Sequence, residues 1–321
     1  MGGIAIWGSS SKGLLGTNSL EVHFNLWRAR KKWWRGWKKW WGTISDFLDI
    51  GVMVFETNTA EWINIFIPAT ITKSNLTDLG NCFGKDIGLT AAVFNESWHP
   101  IADGNKTINV QDSTNAVLFC IYELDRDTDI KMEAKYGGTI IKIQIPQTLK
   151  GKKHYYRIRL DGKCTRSIQR ASRPFDLILQ SAFVQTDLVD FRLNDKRSLK
   201  NTSLLEQIIT DGDCIFSKIH FFLMREAKDD YVYSDRQLNK SRRLEGESWK
   251  TYVGGSYCFD QIVAYDWKES KDVNDFTVFA KFKSFRSNWM TVIIFILGIL
   301  IFGVVSGIFA NLLYTAFGGT R

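Results

Sequence analysis

From Trp289 to Phe317 the chain reads "WMTVIIFILGILIFGVVSGIFANLLYTAF", without a single charged side chain. A run of this length predicts a transmembrane helix. Its 26 or so apolar positions reach roughly 39 Å at about 1.5 Å per residue, more than a hydrocarbon core of about 30 Å. Trp289 and Tyr314 stand near its two ends, where aromatic rings anchor at headgroup level.

Between Gly51 and Lys283 the apolar positions come instead in short or alternating runs. They include "EWINIFIPATI", "NAVLFCIYEL", "TIIKIQI", "YYRIRL", "FDLILQSAFV", "CIFSKIHFFLM", "YCFDQIVAYDW" and "FTVFAKFKSF", rich in β-branched and aromatic residues. Turn-forming joints such as Gly137-Gly138, Asp161-Gly162 and Asp211-Gly212 separate them. This predicts a mainly β domain, an antiparallel sandwich or a barrel. Helix is expected to be rare there. Ser203 with Glu206 has the spacing of a capping box and predicts a short helix at "SLLEQIIT".

A third pattern lies ahead of these runs, in "RARKKWWRGWKKWWGTISDFL", Arg28 to Leu48. Placed on a helical wheel, Trp33, Trp34, Trp37, Trp40, Trp41, Ile44, Phe47 and Leu48 share one arc of about 140°. Arg28, Lys31, Lys32, Arg35, Lys38 and Lys39 share a separate arc of about 120°, and only Arg30 falls on the aromatic side. Aromatic rings opposite cations are the signature of a helix lying in a membrane interface, with the rings at the headgroups and the cations on anionic lipid. The expected organisation is a flexible N-terminus over 1–18 and a Trp/Lys/Arg-rich amphipathic interfacial helix over 19–50. A β-rich domain over 51–287, a transmembrane helix over 288–317 and a short tail over 318–321 follow.

Composition changes this picture in one respect. The 321 residues, 45% apolar and 24% charged, can bury a sizeable core. The formal charge of +8 is concentrated in two places. One is the Arg28–Lys39 segment. The other is Lys150–Arg173, and the rest of the chain is net negative. In the second patch a period of two puts Lys153, Tyr155, Arg157 and Arg159 on one strand face and Tyr156, Ile158 and Leu160 on the other, with Lys163 and Arg166 following. Such a face is a candidate site for phosphate, on lipid, nucleotide or nucleic acid. The competing reading is a solvated strand face paired with acidic neighbours.

The search for catalytic or metal chemistry returns little. Cys82, Cys120, Cys164, Cys214 and Cys258 lie far apart with no CxxC spacing, and His23, His99, His154 and His220 share no ligand spacing. "GSSSKG" lacks the order of a phosphate-binding loop, and "DRDTD" lacks the glycine a calcium loop needs. No enzymatic activity, cofactor or metal is therefore expected. The opening "MGGIAIWGSSSKG" is a poor secretory signal and has Ile6 where myristoylation calls for Ser or Thr. Lys281, Lys283 and Arg286 precede the apolar run and only Arg321 follows it, so the positive-inside rule places the body in the cytoplasm, on a single-pass anchor. Glycosylation sequons at Asn75, Asn95, Asn105, Asn201 and Asn239 are then taken as chance. Gly303, Gly307 and Asn311 recur every four residues within the span, a pattern that allows close helix pairing and predicts a homo-oligomer.

Together these readings lead to the expectation of a membrane-anchored binding or effector protein. Its β-rich domain would sense or recruit a partner at the inner leaflet, with anionic lipid and copies of itself as further partners, or would perturb the bilayer when assembled. The alternative is a membrane-tethered nucleic-acid or nucleotide binder working through Lys150–Arg173.

Overall fold

The computed structural model describes residues 2–10, 18–31, 44–55, 60–94, 96–104, 106–146, 153–172, 184–212, 214–244, 246–254, 257, 261–285 and 289–318. With 51% strand and 24% helix the protein is mainly β, as its alternating runs predict.

Three sheets are formed. In the largest, of ten strands, nine run in the order β16 (Lys240–Arg243), β17 (Ile262–Glu269), β14 (Cys214–Glu226), β2 (Asn18–Arg30), β3 (Ile44–Val54), β11 (His154–Asp161), β8 (Val117–Tyr122), β7 (Thr107–Gln111) and β6 (His99–Ala102). Here β5 (Leu76–Asp78) adds to the side of β11. Two four-stranded sheets complete the set. One has the order β1 (Ala5–Ser9), β4 (Trp62–Ile67), β10 (Gly138–Gln144) and β9 (Ile130–Lys135); the other β12 (Gln169–Ser172), β13 (Val184–Leu193), β18 (Phe276–Phe285) and β15 (Asp230–Ser234). A bridge between Ile4, just before β1, and Leu193, at the end of β13, links the two small sheets.

Most pairings are antiparallel, but β2 with β14 and β8 with β11 are parallel, so the domain is not purely antiparallel. The β9–β10 hairpin turns on Tyr136 and Gly137, both at positive φ, where glycine is the residue that tolerates a left-handed conformation.

The small sheets pack on one face of the large one. Leu20, Val22, Phe24 and Leu26 of β2 share a core with Ile6, Ile65 and Ile141 from one small sheet and Phe191, Val278 and Phe282 from the other. Phe191 stacks on Phe221 at 4.3 Å and tilts against Phe24 at 4.8 Å. The opposite face of the large sheet is covered by α1 (Gly80–Lys85), α2 (Ile87–Phe94) and α4 (Gly246–Val253), which enclose a second apolar cluster around Trp27, Phe47 and Tyr155. These helices are too short for their sequence period to stand out. α3 (Thr202–Asp211) coincides with the predicted "SLLEQIIT" helix, but its cap is Asn201, whose side chain accepts from the Leu204 amide, rather than Ser203.

α5 (Trp289–Ala316) is 28 residues long, and its Phe295–Ala316 portion has a mean hydropathy of 2.4 with none of it buried in the protein. It is long and apolar enough to cross a membrane. Gly303 and Gly307 have nothing within 4 Å of where a Cβ would stand, so that helix face is open, with Asn311 exposed one turn on.

Two expectations are corrected here. The supposed flexible N-terminus contains β1, a buried strand paired with β4. The helix over 19–50 is replaced at both ends by strands β2 and β3, paired residue by residue from Leu20–Val54 to Arg30–Ile44. The physical reason is that Leu20, Val22, Phe24 and Leu26 alternate with Glu21, His23, Asn25 and Trp27, and likewise Phe47 and Leu48 go to opposite faces. A wheel starting at Arg28 misses that period of two.

Candidate functional site

The helix-covered face of the large sheet concentrates polar side chains. Asp49 of β3, fully buried, accepts from Arg159 Nε and Nη2 at 2.7 and 3.0 Å, from Trp27 Nε1 at 2.9 Å and from the Tyr252 hydroxyl of α4 at 2.9 Å. Tyr252 in turn accepts from Arg157 Nε at 2.5 Å, and Tyr155 accepts from Arg157 Nη1 at 2.6 Å. The Asn25 amide, with its oxygen toward Arg157, accepts from Nη2 at 2.9 Å. Burial disfavours charge on Arg157, yet Tyr155, Tyr252 and Asp49 outweigh it and hold the guanidinium charged. One carboxylate thus serves two guanidinium groups, Arg159 directly and Arg157 through the Tyr252 hydroxyl, and these three charged groups sum to one excess positive charge.

Gly51 makes the arrangement sterically feasible. It faces both His23 and Arg157 in the ladder, and a Cβ there would lie 2.1 Å from the Tyr155 hydroxyl. The absent side chain lets that hydroxyl cross the strand toward His23 Nδ1 at 3.3 Å. His23 Nε2 is 3.0 Å from Glu21 Oε1, which also pairs with Lys218 Nζ at 3.0 Å. Burial drives the His23 pKa down to about 4 against the pull of Glu21. Burial raises that of Glu21, but the His23 hydrogen bond and the Lys218 ammonium prevail and bring it to about 2. At neutral pH the carboxylate is therefore ionised and the imidazole neutral, which assigns the proton to Nε2. Tyr155 then donates to Nδ1, giving a directional chain from Arg157 through Tyr155 and His23 to Glu21.

This chain ends in a pocket of about 230 Å³ toward the Asn18 end of β2. Strand register builds its floor. His23 pairs with His220 across β2 and β14, and His220 with Lys268 across β14 and β17. Lys240 of β16 pairs with Asp266 of β17. The His23 and His220 rings meet edge to face at 5.4 Å. His220 Nδ1 lies 3.2 Å from Asp266 Oδ1, and Asn239 Nδ2 donates to the other Asp266 oxygen at 2.6 Å. Phe94 and Trp98 form a wall, and Phe222 stacks on His220 at 5.4 Å. Among the described residues no group of three His, Cys, Asp or Glu is disposed to hold a metal ion.

The residues singled out from sequence are distributed as follows. Trp33, Trp34, Trp37, Trp40, Trp41, Lys32, Arg35, Lys38 and Lys39 lie outside the described residues. Arg28, expected to face lipid, is buried on β2, 3.7 Å from Asp187 and 4.0 Å from Asp46. Lys31 is exposed, its ammonium 5.7 Å from the Tyr257 ring. Tyr155, Arg157 and Arg159 do share one face of β11, as the period of two requires, but that face is covered by helices and its guanidinium groups are engaged within the protein. Lys153 is exposed at the strand's start, over the Phe55 ring at 5.1 Å. Lys163 begins the short turn Lys163–Ser167, in which Arg166 is exposed, so the covered Tyr155, Arg157 and Arg159 share no surface with the exposed Lys153 and Arg166.

Sequence reasoning missed Glu21, His23, Lys218, His220, Asp266 and Asp49. The available signal was polar residues at every second position of long apolar strands, "EVHFNLW", "SKIHFF" and "YDWK". Comparison with models of known protein families and with curated proteins finds no match for this chain.

Proposed function

We propose that the chain is a membrane-anchored binding protein that senses or recruits a ligand or partner at the cytoplasmic leaflet. Its β-domain stands with one end of the large sheet against the bilayer and its pocket open to water. The observation that carries this reading is where the strands end. The β2–β3 hairpin stops at Arg30 and Ile44, which line one small cavity with Ser284 of β18. Ser284 Oγ donates to Asp187 Oδ2 at 3.0 Å, the same carboxylate that lies 3.7 Å from Arg28. From Phe285 to Trp289, where α5 starts, four residue steps span at most about 14 Å. Arg30 and Ile44 thus stand close to where the apolar helix starts, and the sequence 32–43 between them carries five tryptophans and four of the cations. Tryptophan and lysine together beside a span suit the headgroup region. Glu21, at the pocket, is nine residues up β2 from Arg30, about 30 Å along the strand.

Alkaline carbonate extraction tests the anchor. The full chain stays with the membrane, whereas a chain ending at residue 287 is released, and release of both would refute the reading. Orientation follows from Lys281 and Lys283 on the body side of α5. A cysteine at Thr320 is labelled from outside intact cells by an impermeant maleimide, and one at Lys153 only after lysis. The reverse pattern would invert the protein. The Gly303, Gly307 and Asn311 face suits self-association, worth about 1–2 kcal/mol or less in lipid. Cross-linking of the intact chain beside Gly303→Leu/Gly307→Leu checks it, with unchanged stoichiometry counting against a role for that face.

A further inference from the structure

We propose that the pocket bounded by His23, His220 and Trp98 is a binding site for a small phosphorylated ligand carrying a planar ring, a nucleoside monophosphate being the simplest of that class. This deepens the reading of the β-domain as a binding module and rests on it, but through residues separate from those that place the domain at a membrane.

Charge is the first argument. The pocket holds the carboxylates Glu21, Glu96 and Asp266. Glu21 is occupied by His23 and Lys218, and Asp266 by His220 and Asn239. Lys240 and Lys268, by contrast, make no ion pair among the described residues, although register sets both on strands that flank Asp266 and His220. With Lys218, Lys240, Arg242 and Lys268 against Glu21, Glu96 and Asp266 the lining carries one excess positive charge, which favours an anion, and phosphate accepts several charge-assisted bonds from such donors.

His220 is the second argument. Asp266 accepts from its Nδ1, which fixes the ring and leaves Nε2 directed away from that carboxylate as the group that meets a ligand. In neutral form Nε2 accepts from a phosphate hydroxyl, and in protonated form it donates to a phosphate oxygen.

The apolar wall supplies the third. Phe222 lies parallel to His220, with an interplanar angle of 5°, and Trp98 is half-buried beside Phe94. Rings at a partly open site offer stacking surface to a planar group. The volume of about 230 Å³ is below the roughly 300–1,000 Å³ of drug-sized sites, which suits one compact nucleotide with its ribose at the rim and excludes an oligonucleotide.

The test uses the full chain in detergent or nanodiscs. Titration calorimetry is run with the 5′-monophosphates of adenosine, guanosine, cytidine and uridine, and with inorganic phosphate and the four nucleosides as controls. At least one monophosphate is expected to bind once per chain, about tenfold or more tighter than inorganic phosphate and than its own nucleoside. Lys240→Ala/Lys268→Ala weakens that binding by about tenfold or more, and His220→Gln weakens it independently. Both lysines are exposed, so an unchanged melting temperature in their double variant separates lost binding from lost fold. No binding by any monophosphate, binding no tighter than phosphate alone, or full affinity in the folded lysine variant would each overturn the proposal. A chain that resists carbonate extraction yet binds none of these probes loses the ligand assignment and keeps the anchor.

Discussion

The two faces of the large sheet come from the same strands, one residue to each side in turn, yet they place their buried polar groups differently. On the inner face Leu20, Val22, Phe24 and Leu26 meet two further sheets in non-directional apolar packing, and buried charge is confined to the Arg30 end, where Asp187 pairs with Arg225 and lies 3.7 Å from Arg28. On the outer face Glu21, His23, Asn25 and Trp27 are also largely enclosed, under helices that bring an apolar cluster, and there Asp49, Tyr155, Arg157, Arg159 and Tyr252 satisfy one another. A buried polar network is costly unless nearly every member is paired. The Leu20–Leu26 part of the inner face is thus tolerant of apolar exchange, whereas the polar network of the outer face depends on each of its partners and leads into the pocket.

The strongest challenge to this contrast is Asp49→Ala. It strands the Arg159 guanidinium, the Trp27 indole N–H and the Tyr252 hydroxyl, and should cost about 3–5 kcal/mol in denaturant unfolding. A polar strand face open to water would lose no more than about 0.5 kcal/mol, so a value that small would erase the distinction.

Next in size comes the pH dependence. The His23 pKa is lowered from 6.5 to about 4, so the stability of its neutral packing is complete above pH 6.5 and is lost as pH falls toward 4, about 3 kcal/mol in all. Asp78 opposes it. Burial chiefly raises its pKa from 3.8 to about 6, so its contribution is complete below pH 3.8 and disappears as pH rises through 6. Asp78→Asn should therefore expose a steep loss of stability between pH 6.5 and 4, and His23→Gln a gain as pH falls from 6. Parallel profiles for wild type and both variants would show that neither group is buried as described.

A smaller effect is expected at Gly51→Ala, whose new methyl would sit 2.1 Å from the Tyr155 hydroxyl and break the path from Arg157 to His23. The cost is about 1–3 kcal/mol. Added to Asp49→Ala, it should be less than additive, because both act on one network. Strict additivity would place Tyr155 outside it.

How far the sequence alone leads differs between these faces. β4, β8, β10, β11, β14 and β18 fall on runs whose alternation or apolarity marks them, and α5 is marked by length and lack of charge. The split of Tyr155, Arg157 and Arg159 from Tyr156, Ile158 and Leu160 was legible too. What covers the polar side was not, since α1, α2 and α4 have between six and eight residues each and carry no clear period. β2 and β3 were obscured because the tryptophan-rich segment between them matches a helical wheel so well that its pattern was extended over both flanks. The pocket brings together Glu21, Lys218, His220, Asp266 and Lys240, which are scattered over more than two hundred residues and meet only through strand order. No local motif encodes that.

The central claim, that one end of the β-domain rests on the membrane, is tested most directly by depth. An environment-sensitive fluorescent amino acid is placed at Lys31, at the root of the β2–β3 hairpin, or at Glu206 on α3, in the full chain reconstituted into vesicles containing a headgroup-nitroxide lipid. β2 alone separates its two ends by about 40 Å, beyond the reach of such a quencher. The account predicts strong quenching at Lys31 and none at Glu206. Equal quenching at both sites, or stronger quenching at Glu206, would contradict it.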